Sequence, residues 1–578
     1  MSAVMMTNSE IAALLQKISE FLAMQEIPFK PRAYERAART VEDMGEPIEE
    51  VYKKRGMKGI EEIPGVGVSI AEKIEEAIRT GHIKYYDELK KKTPVDIESL
   101  SAIEGVGPKT VLVLYKKLGI KTVDDLERAA RAGKVRNLPH FGIRIEEKIL
   151  KGIGFRKQHA DRFLLHEAME QARDIRDRLA KLDGVERVEV AGSLRRWRET
   201  IGDCDILVIS DKAHVVMECV AGMREVVHVY AKGETKTMVR LKNGMDVDVR
   251  VVPRESFGAA LNYFTGSKEH NVALRERAIK HGWKLNEYGL FGGARGQRYI
   301  CGRTEEEIYE KLGLAYIEPE LRENRGEIAA AQERKLPQLV GWGDLLGDLQ
   351  VQSDWTDGHD SIEALAREAI RLGRKYIAIT DHTKRLAMTR GLDEVRIRKQ
   401  MAEIDKLNKK YPQLKILKGT ECDILKDGSL DLPDSVLEQL DIVGVSVHSY
   451  FNMPRGDMTR RIVRAISNRH ADILFHPTGR LVNKRPPYDA DMEAVIAAAK
   501  ATKTILEINA SPERLDLRDE HIRRAKEEGV MFAIDSDAHS LRGLDVLRYG
   551  VAQARRGWVG KDNVINAQPF EKMMKRLK

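Results

Sequence analysis

The stretch AGSLRRWRETIGDCDILVIS, residues 191–210, followed downstream by MDVDVRVV at 245–252, decides how this chain is to be read. CDILVIS is an apolar, β-branched-rich run and MDVDVRVV alternates apolar with polar residues; both read as β-strands, whose side chains switch faces with period two. Asp203 and Asp205 stand at i and i+2 and so project from one face. Asp248 on a neighbouring strand can complete a three-carboxylate cluster. Three such groups repel one another unless divalent cations lie between them. Hard oxygen ligands suit Mg²⁺, which would bridge a triphosphate and an attacking hydroxyl in a two-metal in-line displacement. With Gly192-Ser193 ahead of the acidic pair, the pattern points to nucleotidyl transfer.

Outward from this centre, 578 residues are too many for one hydrophobic core and imply several domains. Lys and Arg number 98 against 90 Asp and Glu, a net charge of +8 that weakly favours a polyanionic partner. Cys204, Cys219, Cys301 and Cys422 lie far apart with no Cys-x-x-Cys, which argues against a thiolate zinc site or a disulfide framework. No apolar run approaches a membrane span, and the N-terminus lacks a secretory pattern, so a cytoplasmic protein is expected.

N-terminal to the acidic centre the pattern is helical. Three segments, EEIPGVGVSIAEKI, SAIEGVGPKTVLVL and RNLPHFGIRIEEKI, each place a tight turn before a helix. A Gly-x-Gly turn there lets backbone N–H groups meet a phosphate oxygen at a helix N-terminus, a contact blind to base identity. Gly65, Gly67, Gly105, Gly107 and Lys109 are the candidate DNA contacts, while His140 replaces the first glycine of the third copy. Beyond residue 340, apolar strands (YIAIT, LKILKGTE, DIVGVSVHS, ADILFHP, TILEINA, MFAIDSDAH) alternate with amphipathic helices, the signature of a parallel α/β fold.

The segment ALNYFTGSKEHNVALRERAIKHGWKLNEYGLF, together with GSLRRWRETIGDCDILV and GETKTM, closely resembles the nucleotide-selecting and catalytic segments of the family X, polymerase beta-like, DNA polymerases. The resemblance covers about the first 300 residues in the family's order. It implies that Asp203, Asp205 and Asp248 carry Mg²⁺, and that Arg162, Ser193, Arg196 and Gly202 hold the triphosphate. Tyr263, Phe264 and Gly266 would line the sugar and base, with Asn271 and Arg275 watching the minor groove. It further implies a lyase-like first domain, with Lys73 as Schiff-base nucleophile and Lys30, Tyr34 and Lys84 around a 5′-phosphate; Ser69 stands where the animal enzyme has another lysine.

GDLQVQSDWTDG, ITDHT, GTECDIL, VSVHSY, LFHPTG and IDSDAH each end a strand-like run, and together they match the PHP phosphoesterase family. Its metal cluster would draw on Asp357, His382, Glu421, His448, His476, Asp537 and His539, which suit Mn²⁺ or Zn²⁺. The family's His-x-His is Gln350-x-Gln352 here, with Asp354 nearby as a compensating carboxylate or a turn residue. Three outcomes stay open: a competent 3′→5′ exonuclease or abasic-site endonuclease, a cluster with fewer metals and reduced activity, or a relic.

The expected architecture is therefore multidomain. It comprises a helical lyase-like domain (1–90), helix-hairpin-helix fingers (91–155), an α+β nucleotidyltransferase palm (156–250), and a thumb-like nucleotide-selecting subdomain (251–317). A linker or surface helix (318–339) and a distorted TIM-like PHP barrel (340–578) follow. The expected function is gap-filling synthesis from dNTPs on gapped or primer-template DNA by a nucleoid-associated monomer. The rival readings are a nuclease whose polymerase half only positions DNA, and a non-enzymatic DNA-binding scaffold.

Overall fold

The acidic strands sit at the centre of a five-stranded mixed sheet in the order Val185–Val190, Asp203–Ser210, Asp246–Val251, Lys236–Leu241, Val226–Lys232. Period-two alternation divides its faces. Cys204, Ile206, Val208, Val247 and Val249 pack on one side against the helices Leu165–Leu179 and Ala213–Ala221. Leu207 and Ile209, on the other side, pack against Phe257, Ala260 and Leu261 of the helix Phe257–Thr265. Asp203 and Asp205 continue that second face beyond the covering helix. This computed structural model describes all residues except 1–5, 7, 26, 45, 102, 104, 105, 140, 160, 161 and 294–297.

The chain divides into two compact units, one of residues 1–160 with 483–486, the other the remainder. The first is all-helical. Ile11, Leu15, Ile18, Ile74, Leu114 and Ile149, at helical spacing in their segments, converge in one core. Gly67 caps the helix Val68–Thr80 and Gly107 caps Pro108–Leu118, both with extended backbone, so the two helices begin alike.

In the second unit, after the palm sheet, come the helix Lys268–Lys280 and the three strands Lys284–Asn286, Gly289–Gly292 and Arg298–Cys301. The rest is a barrel of seven parallel strands taken in chain order from Gly347–Val351 to Phe532–Asp535. Its ends meet: Val351 bridges Ala538, and the Gln352 amide donates to the Ala538 carbonyl at 2.8 Å. A parallel sheet with both faces covered needs near-continuous apolar strands, and YIAI and FAID are buried throughout.

One expectation is corrected. The Glu/Arg-rich stretch 318–339 is packed rather than a linker: Leu321 and Ala331 belong to the thumb core, and Arg322 and Glu327 are fully buried. Its charges tolerate burial because they are paired. Glu305 accepts from Arg195 at 2.8 and 2.6 Å and also from Arg322, while Glu327 pairs with His270 at 2.6 Å. Burial pushes the Glu305 carboxyl up, but Arg322 and Arg195 overcome it and hold the group at about 2. Glu305→Ala would leave two buried guanidinia without their counter-charge. We expect a loss of about 3–5 kcal/mol, read in urea melts, against little change for an exposed control such as Glu306→Ala.

Candidate functional site

The parallel pairing of Asp203–Ser210 with Asp246–Val251 sets Asp205 directly opposite Asp248, and Asp203 opposite Asp246. Residues opposite one another in a sheet share a face, so Asp203, Asp205 and Asp248 gather on the face that Leu207 and Ile209 mark. The electrostatics record the crowding. Burial, then the charges of Asp203 and Asp248, push the Asp205 carboxyl up to about 7. Asp248 is held by Arg250 at 2.9 Å and Lys236 at 3.4 Å, yet its buried Oδ1 has no hydrogen-bond partner among the described residues. Repelling carboxylates with an unsatisfied oxygen fit divalent cations. Gly192, at φ +63°, completes the pocket: a Cβ there would stand 2.4 Å from the Asp205 Oδ2, so only glycine fits.

Around this cluster lie the other residues singled out in the sequence. Arg162 donates to the Thr200 hydroxyl at 2.8 Å and carbonyl at 2.6 Å, beside Gly202. Arg196 donates through Nη1 to the Thr265 carbonyl and pairs through Nε with Glu323 at 3.2 Å, with Gly266 packed against Nη1. Ser193 is half-buried in the turn Gly192–Arg195. The Tyr263 and Phe264 rings meet edge-on at 5.1 Å, and Arg250 lies 4.4 Å over Phe264. Asn271 donates to the Tyr263 carbonyl at 2.6 Å, and Arg275 is half-buried one turn further along the same helix.

In the helical unit, Lys73 donates to the Ser69 carbonyl at 2.9 Å and hydroxyl at 3.2 Å and lies 5.2 Å over the Tyr85 ring. Tyr34, buried, stacks on Tyr85 at 6.5 Å; burial and Tyr85 push its hydroxyl up to about 12. Lys30, Lys84 and Lys109 are exposed. Gly65, at φ +83°, is the positive-φ residue of its turn. Gly105 lies outside the described residues.

The barrel builds a second cluster at the C-terminal ends of its strands. Asp357, His382 and His539 form one group able to hold a metal, and His382, Glu421 and His448 another. His382 lies 3.5 Å from Asp357 and 3.4 Å from Glu421, and Glu421 lies 3.0 Å from His448 and 2.8 Å from His476. Burial pulls His382 down, but Glu421, Asp357 and Asp537 outweigh it and raise the imidazole to about 9. His476 and Asp537 adopt φ of +29° and +55°, backbone strain of the kind kept at functional sites.

The Gln-x-Gln position is occupied differently. The Gln352 amide donates to Glu421 Oε2 at 2.8 Å, and Gln350 Oε1 accepts from Asn509 at 3.3 Å. Asp537 Oδ2 takes Arg514 at 3.0 Å and Asn509 at 3.2 Å. Arg514 and these amides pair with Asp537 and Glu421, while Gln352 Oε1 and Glu507 Oε1 stay without a partner among the described residues; the two His382 groups are the ones built to hold a metal. Sequence reading missed Asn509, Arg514, Asp423 and Glu507. Asp423 lies 3.3 Å from His448, and the carboxyl of Glu507 is pushed well up by burial and by Asp535 and Asp537. For three of them a signal was available: Asp423 and Asn509 end apolar strands, as the chosen ligands do, and Glu507 is a lone acid inside one.

Comparison with known proteins agrees with this geometry. The chain is 37% identical over 576 residues to the DNA polymerase/3′-5′ exonuclease PolX of Bacillus subtilis (strain 168), covering 99% of this chain and 100% of that protein. This chain belongs to the PHP-domain family X DNA polymerases. Residues 260–323 match the family described as DNA polymerase beta thumb, and 348–511 match the PHP domain. Residues 6–83 match a helix-hairpin-helix domain, and 97–154 a SAM-like helix-hairpin-helix tandem. DNA polymerase lambda of Rattus norvegicus is 24% identical over 345 residues, 55% of this chain and 56% of that protein. A probable phosphatase of Thermoanaerobacter sp. (strain X514) is 31% identical over 223 residues, 36% of this chain and 86% of that protein.

An Asp whose folded value is raised binds more protons folded than unfolded. The cation-free protein therefore loses stability as pH climbs from the ordinary Asp range, about 4, to about 7, and the penalty is complete above that. Asp205→Asn removes it. The expected result is a melting temperature about 2–4 °C higher than wild type at pH 8 in chelator, with no difference near pH 4, read by calorimetry.

Proposed function

We propose that this protein is a template-directed DNA repair polymerase that adds deoxynucleotides to a primer 3′-hydroxyl at short gaps, with a PHP domain acting as a 3′→5′ exonuclease. The observation that carries the first half is the opposition of Asp205 and Asp248 with Asp203 on the same face. Bound there, Mg²⁺ would supply charge neutralisation for the triphosphate and lower the pKa of the primer hydroxyl. The chain's own groups do the rest. Arg196, its fork fixed by Glu323 and Thr265, offers Nη2 to a phosphate oxygen, and Ser193 and Arg162 flank the same mouth. Tyr263 and Phe264 give the incoming nucleotide an apolar wall, and Asn271 holds the Tyr263 backbone in register. In the helical unit, the Gly67 and Gly107 caps present backbone donors to DNA phosphates without reading bases. The substrate, gapped chromosomal DNA, places the enzyme in the cytoplasm with the nucleoid. A monomeric state is part of this reading; no described helix is long and apolar enough to cross a membrane.

The exonuclease half is supported by the two His382-centred groups. Mn²⁺ or Zn²⁺ suits these imidazole and carboxylate donors and would supply an activated water for attack on the terminal phosphodiester. The buried Glu421 joins three imidazoles, while Gln350 and Gln352 leave the remaining corner to amide hydrogen bonds.

Two single substitutions separate the activities. On one-nucleotide-gapped DNA with Mg²⁺, Asp203→Ala should cut extension by at least about 10³-fold while DNA affinity stays within about threefold. With Mn²⁺ and a 5′-labelled primer, His448→Ala should stop degradation and leave extension intact. Extension surviving in Asp203→Ala removes the polymerase site, and degradation surviving in His448→Ala removes the nuclease site.

A further inference from the structure

The four residues Arg196 to Glu199 lie between Ser193 and the acidic strand, and each is held from outside the palm. The Arg196 carbonyl accepts from Arg556 Nη1 at 2.8 Å. Trp197, at φ +53°, lies 4.8 Å from the Trp342 ring and 6.1 Å from Tyr549. Arg198 pairs with Glu323 at 3.5 Å, and Glu199 with Arg480 at 2.7 Å. Arg480, Tyr549 and Arg556 all belong to the barrel, the last two to the helix Leu547–Arg556.

Glu323 is the hub. Its Oε1 lies 3.2 Å from Arg196 Nε and 3.0 Å from Arg556 Nη1, while Arg556 Nη2 is anchored 2.6 Å from Asp519. The Arg556 side chain is only 3% exposed, so its charge is balanced by these two carboxylates rather than by water. Without Arg556, Glu323 would be free to close fully on Arg196 and Arg198, and the Arg196 carbonyl would lose its donor. The position of the Arg196 fork therefore depends on a residue of the other catalytic domain, 360 positions away in the chain.

We propose that Arg556 is a positioning residue for nucleotide binding at the polymerase site, acting through Glu323 and the Arg196 carbonyl, so that the PHP domain completes the triphosphate pocket. This rests on the reading of Arg196 as a triphosphate-holding residue. The arrangement is fixed by charge and reach. A guanidinium has the planar fork to serve a carbonyl, Glu323 and Asp519 at once, and lysine has a single point of charge.

The test is steady-state extension by the full chain on one-nucleotide-gapped DNA, with Mn²⁺-dependent primer degradation as the internal control. Arg196→Ala sets the reference by raising the KM for dNTP. Arg556→Ala should raise that KM by about threefold to tenfold, with kcat within about twofold and degradation unchanged. Arg556→Lys should recover only part of the loss, and Arg196→Ala/Arg556→Ala should be no worse than Arg196→Ala alone, as coupled residues require. If Arg556→Ala does not melt cooperatively, Asp519→Asn, which weakens the outer anchor of Arg556 along with the Asp519 pairing to Arg325 at 3.2 Å, should show the same KM shift in smaller degree. An unchanged KM in the folded Arg556 or Asp519 variant, or multiplying effects in the double variant, overturns the proposal and leaves the polymerase reading standing. An unchanged KM in Arg196→Ala overturns the assignment of Arg196 and this proposal with it.

Discussion

Asp205 and Asp248 occupy opposing positions of a parallel strand pair, with Asp203 two residues along on the same face, and like charges so placed repel. Everything else in the polymerase half accommodates that repulsion. The sheet can carry it because the neighbouring positions Cys204, Ile206, Val247 and Val249 bury an apolar face that fixes the register. A slip of one residue would send the aspartates into the core. Gly192 opens the space that Asp205 needs, and Lys236 and Arg250 offset part of the charge on Asp248. The remaining imbalance, with the unpartnered Asp248 Oδ1, is what supports the proposed divalent cations at this face.

The barrel solves a related problem with other means. Glu421 is buried among three histidines, and Asp357 and Asp537 stand close by, so imidazoles share the compensation that cations complete. Where two glutamines replace the expected histidines, Arg514 and Asn509 take over around Asp537. The substitution therefore changes how one corner is neutralised without dismantling the His382 groups. The same economy of buried charge recurs at Glu305 and Glu323, where arginines from distant segments converge and tie the thumb and the loop at 196–199 to the barrel.

Most of the fold was legible because its periodicities are strong. MDVDVRVV alternates cleanly, CDILVIS is a short apolar run behind its acidic pair, and the barrel strands are short apolar runs that end in ligand-type residues. The register of Asp205 on Asp248 was not legible, since alternation shows which face a residue takes but not which residue it meets. The stretch 318–339 misled for a different reason. Its Glu and Arg content suggested solvent, and burial became acceptable only through partners such as Arg195 and His270, far away in sequence. Arg514 and Arg556 escaped notice on the same ground, because an arginine's role is set by the carboxylates that surround it in space.

The central claim is that three aspartates on one sheet face cage paired cations. Anomalous scattering from crystals of the enzyme with one-nucleotide-gapped DNA, a non-hydrolysable dNTP and Mn²⁺ measures this most directly. The expected result is two peaks bounded by Asp203, Asp205, Asp248 and the triphosphate, both lost in Asp248→Asn. Mn²⁺ bound only in the barrel, or peaks that persist unchanged without the Asp248 carboxylate, would contradict it.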